Sequence, residues 1–160
     1  MEDILTGEHN KVLRAKSKAV EADAPETGAL VRRMRDILQK TEHGIGLAAP
    51  QAGENARLFV IYPERIWQEG DVWKPEDMPR VFLNPGLKII GQGKTKETEG
   101  CLSLPEAWLE IERAKKVEIT AKNPEGKKIK LKASGLLARV FQHETDHLDG
   151  VLIVDYATDK

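Results

Sequence analysis

The chain has 160 residues, 40% hydrophobic and 32% charged, the balance of an ordinary soluble globular protein. That length can bury one core without staples, and a single cysteine excludes an internal disulfide framework and suits a reducing compartment. A formal net charge of −1 gives no global attraction to nucleic acid or membrane, and no apolar run approaches the roughly 18–20 residues of a membrane span.

The N-terminal MEDILTGEHN has neither the apolar core of a signal peptide nor the arginine-rich character of a transit peptide, so the chain reads as cytoplasmic, with the processed form of an organelle enzyme as the alternative. Between Ala24-Pro25-Glu26 and His43, Leu30, Val31, Met34, Ile37 and Leu38 recur at helical spacing, with Gly44 as the expected stop. GIGLAAPQAG (44–53) is too rich in glycine and small residues to predict a helix or an ordinary strand. RLFVIY (57–62) and RVFLNP (80–85) predict strands. The polar loop between them holds Trp67 and Trp73 and reads most simply as an insertion. GLKII (86–90) and KKVEITAK (115–122) predict two further strands, and NPEG (123–126) turns the chain into KKIKLKA (127–133), the other arm of a half-solvated hairpin. The segment SGLLARVFQHETDHLDG predicts a last helix, closed by Gly150. Strands on either side of two separated helices, without regular βαβ alternation, predict an α+β fold of mostly antiparallel sheet in a single domain over 1–160.

The last helix carries the chemistry. Leu136, Val140, His143 and His147 share one face, so both imidazoles can aim at one ion. Glu144 is turned about 100° from His143, close to such an ion without being forced to bind it, where a general base acting on water belongs. A surface helix with incidental histidines is the plainer alternative, but two uncompensated imidazoles beside Leu136 and Val140 would be costly to bury. The third ligand decides between classes. The extended protease motif H-E-x-x-H-x-x-G-x-x-H fails, because Gly150 is in register but Ile153 stands where its last histidine belongs. After Gly150 the only acids are Asp155 and Asp159, and His9 and His43 lie far upstream. Cys101, in TEGCLSLP (98–105), is the other candidate. A lone cysteine is ordinarily a small buried hydrophobe, yet this one follows a glycine between a polar run and a proline. With two histidines it would make a site suited to zinc or ferrous iron.

GIGLAAPQ (44–51), EGCLS (99–103) and QHETDHLDG (142–150) together resemble the three signature motifs of the peptide deformylases, in that family's order and spacing. The resemblance runs from Leu13-Arg14 to Tyr156. It implies sheets packed around a central C-terminal helix bearing HExxH, and one divalent metal, Fe²⁺ in the native state or Zn²⁺, Ni²⁺ or Co²⁺ as isolated. Cys101, His143 and His147 would hold that metal. It implies removal of the formyl group from the N-terminal formylmethionine of nascent polypeptides, releasing formate. Glu144 would move the proton, and the Gln51 amide and Leu102 backbone N–H would face the negative oxygen. Ile45, Gly46 and Gly100 would lie beside an extended peptide, with Leu136 and Val140 forming a wall of the methionine pocket. For that pair, plain core packing is an equally fair reading. The lysines of KKIKLK (127–132), with Lys115, Lys116 and Lys122, read as a solvated hairpin face, or alternatively as an approach to ribosomal RNA. No membrane or specific nucleic-acid partner is implied.

Three departures stand out. Trp108 replaces an arginine that the family commonly uses to hold substrate, Glu112 replaces the proline before Arg113, and GEHNKV replaces Pro-Asp-Pro before Leu13-Arg14. They bear on substrate contacts more than on metal chemistry. The alternatives to deformylation are an HExxH endoprotease and a domain that binds formylated peptides without turnover. Glu144 argues against the second, since binding alone does not need it.

Overall fold

A computed structural model describes residues 3–157. The elements in chain order are α1 (Lys11–Arg14), α2 (Pro25–Lys40), β1 (Gly46–Ala48), β2 (Leu58–Ile61), α3 (Pro63–Ile66) and β3 (Val81–Ile89). They continue with β4 (Lys94–Cys101), β5 (Leu104–Ala114), β6 (Lys116–Lys122), β7 (Lys128–Ser134) and α4 (Gly135–Leu148). All strand pairing is antiparallel, in a five-stranded sheet ordered β1-β2-β3-β6-β7 and a separate β4–β5 hairpin.

Strand β2 shows why the large sheet is covered on both faces. Its four residues are all buried, and the two-residue period sends Phe59 and Ile61 one way, Leu58 and Val60 the other. Phe59 and Ile61 join Leu137, Ala138, Val140, Phe141 and Leu148 of α4. There Phe59 stacks on Phe82 and Phe141 meets Phe82 edge-on, each with ring centroids 5.1 Å apart. Leu58 and Val60 pack instead with Val31, Met34, Ile37 and Leu38 of α2. The catalytic candidates on α4 are thus mounted on the helix with the deepest anchorage. This is the α+β architecture that the sequence predicts.

Local differences have physical causes. Helix α2 ends at Lys40, short of Gly44, because Thr41 leaves the helix and its hydroxyl donates to the Ile37 carbonyl at 2.7 Å. The expected absence of a strand in 44–53 is corrected. Gly46–Ala48 forms β1 against β2, buried throughout, and Ala49–Ala52 forms a 3-10 turn. Tertiary pairing here overrides weak local propensity. The strands expected over 80–85 and 86–90 are one strand, β3, which carries Pro85 through a register shift between Leu83 and Gly86. Strands β4 and β5 have no counterpart in the sequence reading, because β4 is polar from Lys94 to Glu99 and Glu106, Glu110 and Glu112 interrupt the apolar residues of β5. The segment 62–79 is partly ordered by α3. Arg65 donates to the carbonyls of Leu38, Thr41 and Gly44, and so ties the loop that enters β1.

Candidate metal and active site

A cavity of about 710 Å³ opens between the edge strand β1, the β4–β5 hairpin and α4. Ile45, Gly46, Gln51, Gly100, Cys101, Leu102, Leu136, Val140, His143 and Glu144 line it. His147 lies behind them at 1% exposure. Cys101 ends β4, while His143 and His147 stand one turn apart on α4. One donor atom from each lies within 4.8 Å of the others, and the Cys101 Sγ is 3.4 Å from His147 Nε2. The expected ligand set is therefore assembled from two elements far apart in sequence. Its mixed thiolate and imidazole chemistry, and its compactness, fit a single tetrahedral cation with one position left open.

The electrostatics favour a cation. His143 Nδ1 is 3.2 Å from Glu99 Oε1, leaving Nε2 as its other ring nitrogen. Burial opposes charge on His143, but hydrogen bonding with Cys101 and Glu99 outweighs it and raises its pKa to about 10. A histidine ligates only when neutral, so a metal ion bound there would displace that proton. Burial instead drives His147 well below the ordinary imidazole range, assisted by repulsion from His143, so that ring is a neutral donor. Burial pushes the Glu144 carboxyl up to about 7, against the pull of His143 and Arg113. Its Oε1 is buried without a hydrogen-bond partner among the described residues, as suits a group whose partners arrive with substrate and water.

Gln51 is held from both ends. Its Oε1 accepts from the Ala48 N–H at 2.9 Å, and its Nε2 donates to Ser103 Oγ at 3.2 Å while lying 3.9 Å from Cys101 Sγ. The amide therefore presents its donor face to the ligand cluster. Leu102 sits at the tip of the hairpin connection. A Cβ on Gly46 would lie 2.7 Å from Glu144 Oε2. Gly46→Ala is expected to displace that carboxylate and to lower kcat by roughly 100-fold with metal content unchanged, as a misplacement of about 1 Å does. Unchanged kcat in a metal-loaded Gly46→Ala protein would show that the carboxylate position is not critical.

A network of charges that the sequence reading did not assign supports the ligands. Glu99 accepts from Arg113 Nε at 2.6 Å and from Arg139 Nη2 at 2.8 Å, and Arg113 also donates to Asp146 at 3.0 Å. Burial would raise the Glu99 pKa, but His143 and Arg113 hold it down at about 2. Asp146 further accepts from the Tyr156 hydroxyl at 2.6 Å. Two arginines thus clasp the hairpin to α4. Glu99 was visible inside EGCLS, and Arg139 as a charge in an otherwise apolar stretch of α4, but their pairing needs the fold. The Arg113 side chain is only 3% exposed, so Arg113→Leu leaves two carboxylates poorly paired. That loss is expected to cost about 3–5 kcal/mol. Thermal unfolding should fall by roughly 6–20 °C, and a melting curve matching wild type would refute the clasp.

The departures are also placed. Glu112 is exposed opposite Lys96, so this strand position does not need a proline. Arg14 donates to the Gly150 carbonyl at 3.0 Å and pairs with Asp155, docking the N-terminal Leu13-Arg14 at the end of α4. Trp108 stands at the cavity mouth.

A carboxyl group and two imidazoles on a buried helix, beside a cysteine from the neighbouring hairpin, is the arrangement of a metallohydrolase. The sequence model of the polypeptide deformylases matches residues 1–160. The chain is 42% identical to the peptide deformylase of Picosynechococcus sp. over 146 residues, covering 91% of this chain and 74% of that one. It is 43% identical to the enzyme of Pelagibacter ubique over 158 residues, covering 98% and 86%. Among solved structures, the peptide deformylase of Thermotoga maritima matches with a TM-score of 0.81 at 35% identity, covering 98% of this chain and 97% of that one. The Synechococcus elongatus enzyme in complex with actinonin gives 0.84 at 38% identity, covering 98% and 80%. The chain belongs to the polypeptide deformylase family.

Proposed function

We propose that this hydrolase removes the formyl group from N-terminal formylmethionine of newly made polypeptides, with Cys101, His143 and His147 holding one Fe²⁺ and Glu144 moving the proton. The observation that carries this reading is the convergence of those three ligands within 4.8 Å beside a buried carboxylate in the cavity wall. The ion, when bound, lowers the pKa of a water and polarises the formyl oxygen. The residues supply the rest. Glu144 accepts the proton of the attacking water as its oxygen adds to the formyl carbon. It then delivers that proton to the amine as the C–N bond breaks, leaving formate and a free N-terminus. The Gln51 amide, fixed by Ala48 and Ser103, and the Leu102 N–H at the hairpin tip face the oxygen on which negative charge develops.

The free edges of β1 and β4 flank the cavity, so an extended peptide can pair along Ile45-Gly46 and Gly100 while its methionine side chain meets Leu136 and Val140. Ferrous iron suits a mixed thiolate and imidazole set, as zinc does. The work would be done by a single catalytic domain, where nascent chains are made, in the cytoplasm. Exposed Lys128, Lys130 and Lys132 on the outer strand β7 support a transient approach to ribosomal RNA.

Formate release from formyl-Met-Ala-Ser by anaerobically prepared protein, with its metal counted, tests the reading. Turnover with about one metal per chain is expected from a single-ion site. A metal-loaded chain that releases no formate would instead be a formyl-peptide binder.

A further inference from the structure

Trp108 is unused by the chemistry, yet the fold takes trouble to place it. Inward-facing Ala107 and Leu109 pack on a small core with Leu104, Ile111, Leu152 and Ile153, and the alternation of β5 turns Trp108 the other way. The residue remains 69% exposed and lines the cavity mouth. Its ring is seated on Gly100 of the neighbouring strand, where an added Cβ would lie 2.6–2.9 Å from three ring atoms. No other residue type fits beneath it without displacing the indole. The ring is thus fixed on one side and open to the cavity on the other, one residue from the ligand Cys101.

The exposed charges on the cavity lining and beside Trp108 in β5 are acidic, and Lys96 on the same face stands further along the hairpin, opposite Glu112. Glu42 and Glu97 are exposed on the cavity lining, and Glu106 and Glu110 flank Trp108 on the same exposed face of β5. Arg139 is the only lysine or arginine among the described lining residues. Its guanidinium is committed to Glu99 and to the carbonyls of Thr95 and Ile111. An indole face bordered by unneutralised carboxylates attracts a cation and its aliphatic stem.

The geometry points to Trp108 as a specificity-determining residue that selects a lysine or arginine side chain at the second or third position of the formylated peptide. The inference rests on the deformylase reading. An extended peptide paired along β1 and β4 runs out of the cavity past the hairpin, and successive side chains alternate in direction, so one of the first two after methionine meets the ring. A basic side chain would find the π face beneath it and the carboxylates around it. A glutamate there would meet only repulsion.

The test compares kcat/KM for formyl-Met peptides carrying lysine, norleucine or glutamate at position two or three. Norleucine keeps the aliphatic stem without the charge. At low salt the wild type should favour lysine over norleucine by roughly three- to tenfold at one of the two positions. It should favour norleucine over glutamate, and both ratios should shrink as salt screens the rim. Trp108→Phe should keep most of the lysine preference, and Trp108→Leu should lose it. Reading the ratio within each variant cancels any general loss of activity. A wild type indifferent to lysine against norleucine, or an equal ratio in the Leu variant, overturns the inference. Absence of formate from every peptide would instead overturn the deformylase reading beneath it.

Discussion

A Glu144→Gln protein will hold its metal and lose roughly 100- to 10,000-fold of its deformylation rate, the range that a positioned acid–base group contributes. Glutamine preserves the volume and one donor–acceptor end at a position that is 4% exposed, so helix packing is undisturbed. What it removes is the capacity to take a proton from water and return it to the departing amine. The backbone leaves room for the carboxylate, since a side chain at Gly46 would crowd Glu144 Oε2. Because Glu144 is not one of the clustered ligands, metal content should match wild type. Formate release measured beside metal content reads both quantities. A full rate in the metal-loaded variant would remove Glu144 from the mechanism.

Cys101→Ala should fail differently, losing the metal and, with it, the rate. Removing a partner that merely orients a ligand typically weakens metal affinity by about 10- to 100-fold, and removing a ligand should exceed that. The substitution takes away the sulfur donor and, among the described residues, the one candidate ligand outside α4. His143 and His147 alone leave an incomplete coordination shell. The fold should survive, because Cys101 is half-buried at a strand end and alanine fills much of its volume. Competition with a graded chelator reads the affinity directly. Unaltered affinity would mean that the ion sits elsewhere. The two variants together separate the group that binds from the group that reacts.

The helix bearing the histidines was legible from spacing alone, since the i, i+4, i+7, i+11 pattern needs no partner to be read. The alternating KKIKLKA arm and its NPEG turn were equally plain, and Asn123 Oδ1 indeed accepts from the Glu125 and Lys127 N–H groups there. The β4–β5 hairpin was not legible. Strand β4 is polar on both faces over most of its length, glutamates break up the apolar residues of β5, and those that pin the hairpin, Leu104, Ile111 and Leu109, find their partners in Leu152 and Ile153. Strand β1 was missed for the opposite reason. Gly46, Leu47 and Ala48 carry no strand signal of their own and are ordered by pairing with β2. For the site, residue types and motif order pointed to Cys101, His143 and His147. Glu99, Arg113, Arg139 and Asp146 stayed unread, because a buried charge network is a property of packing and leaves no periodicity in the chain.

Among the described residues the hairpin shares no strand pairing with the five-stranded sheet, yet it would supply one of the three clustered candidate ligands and α4 the other two. An ion held between them is therefore a cross-link between two bodies with separate hydrogen-bond ladders. By mass action its binding free energy adds to the work of swinging the hairpin aside. Affinity for the ion and closure of the substrate channel are then one quantity seen from two ends. A change at Arg113 or Arg139 that loosens the clasp will also make the chain release its metal sooner.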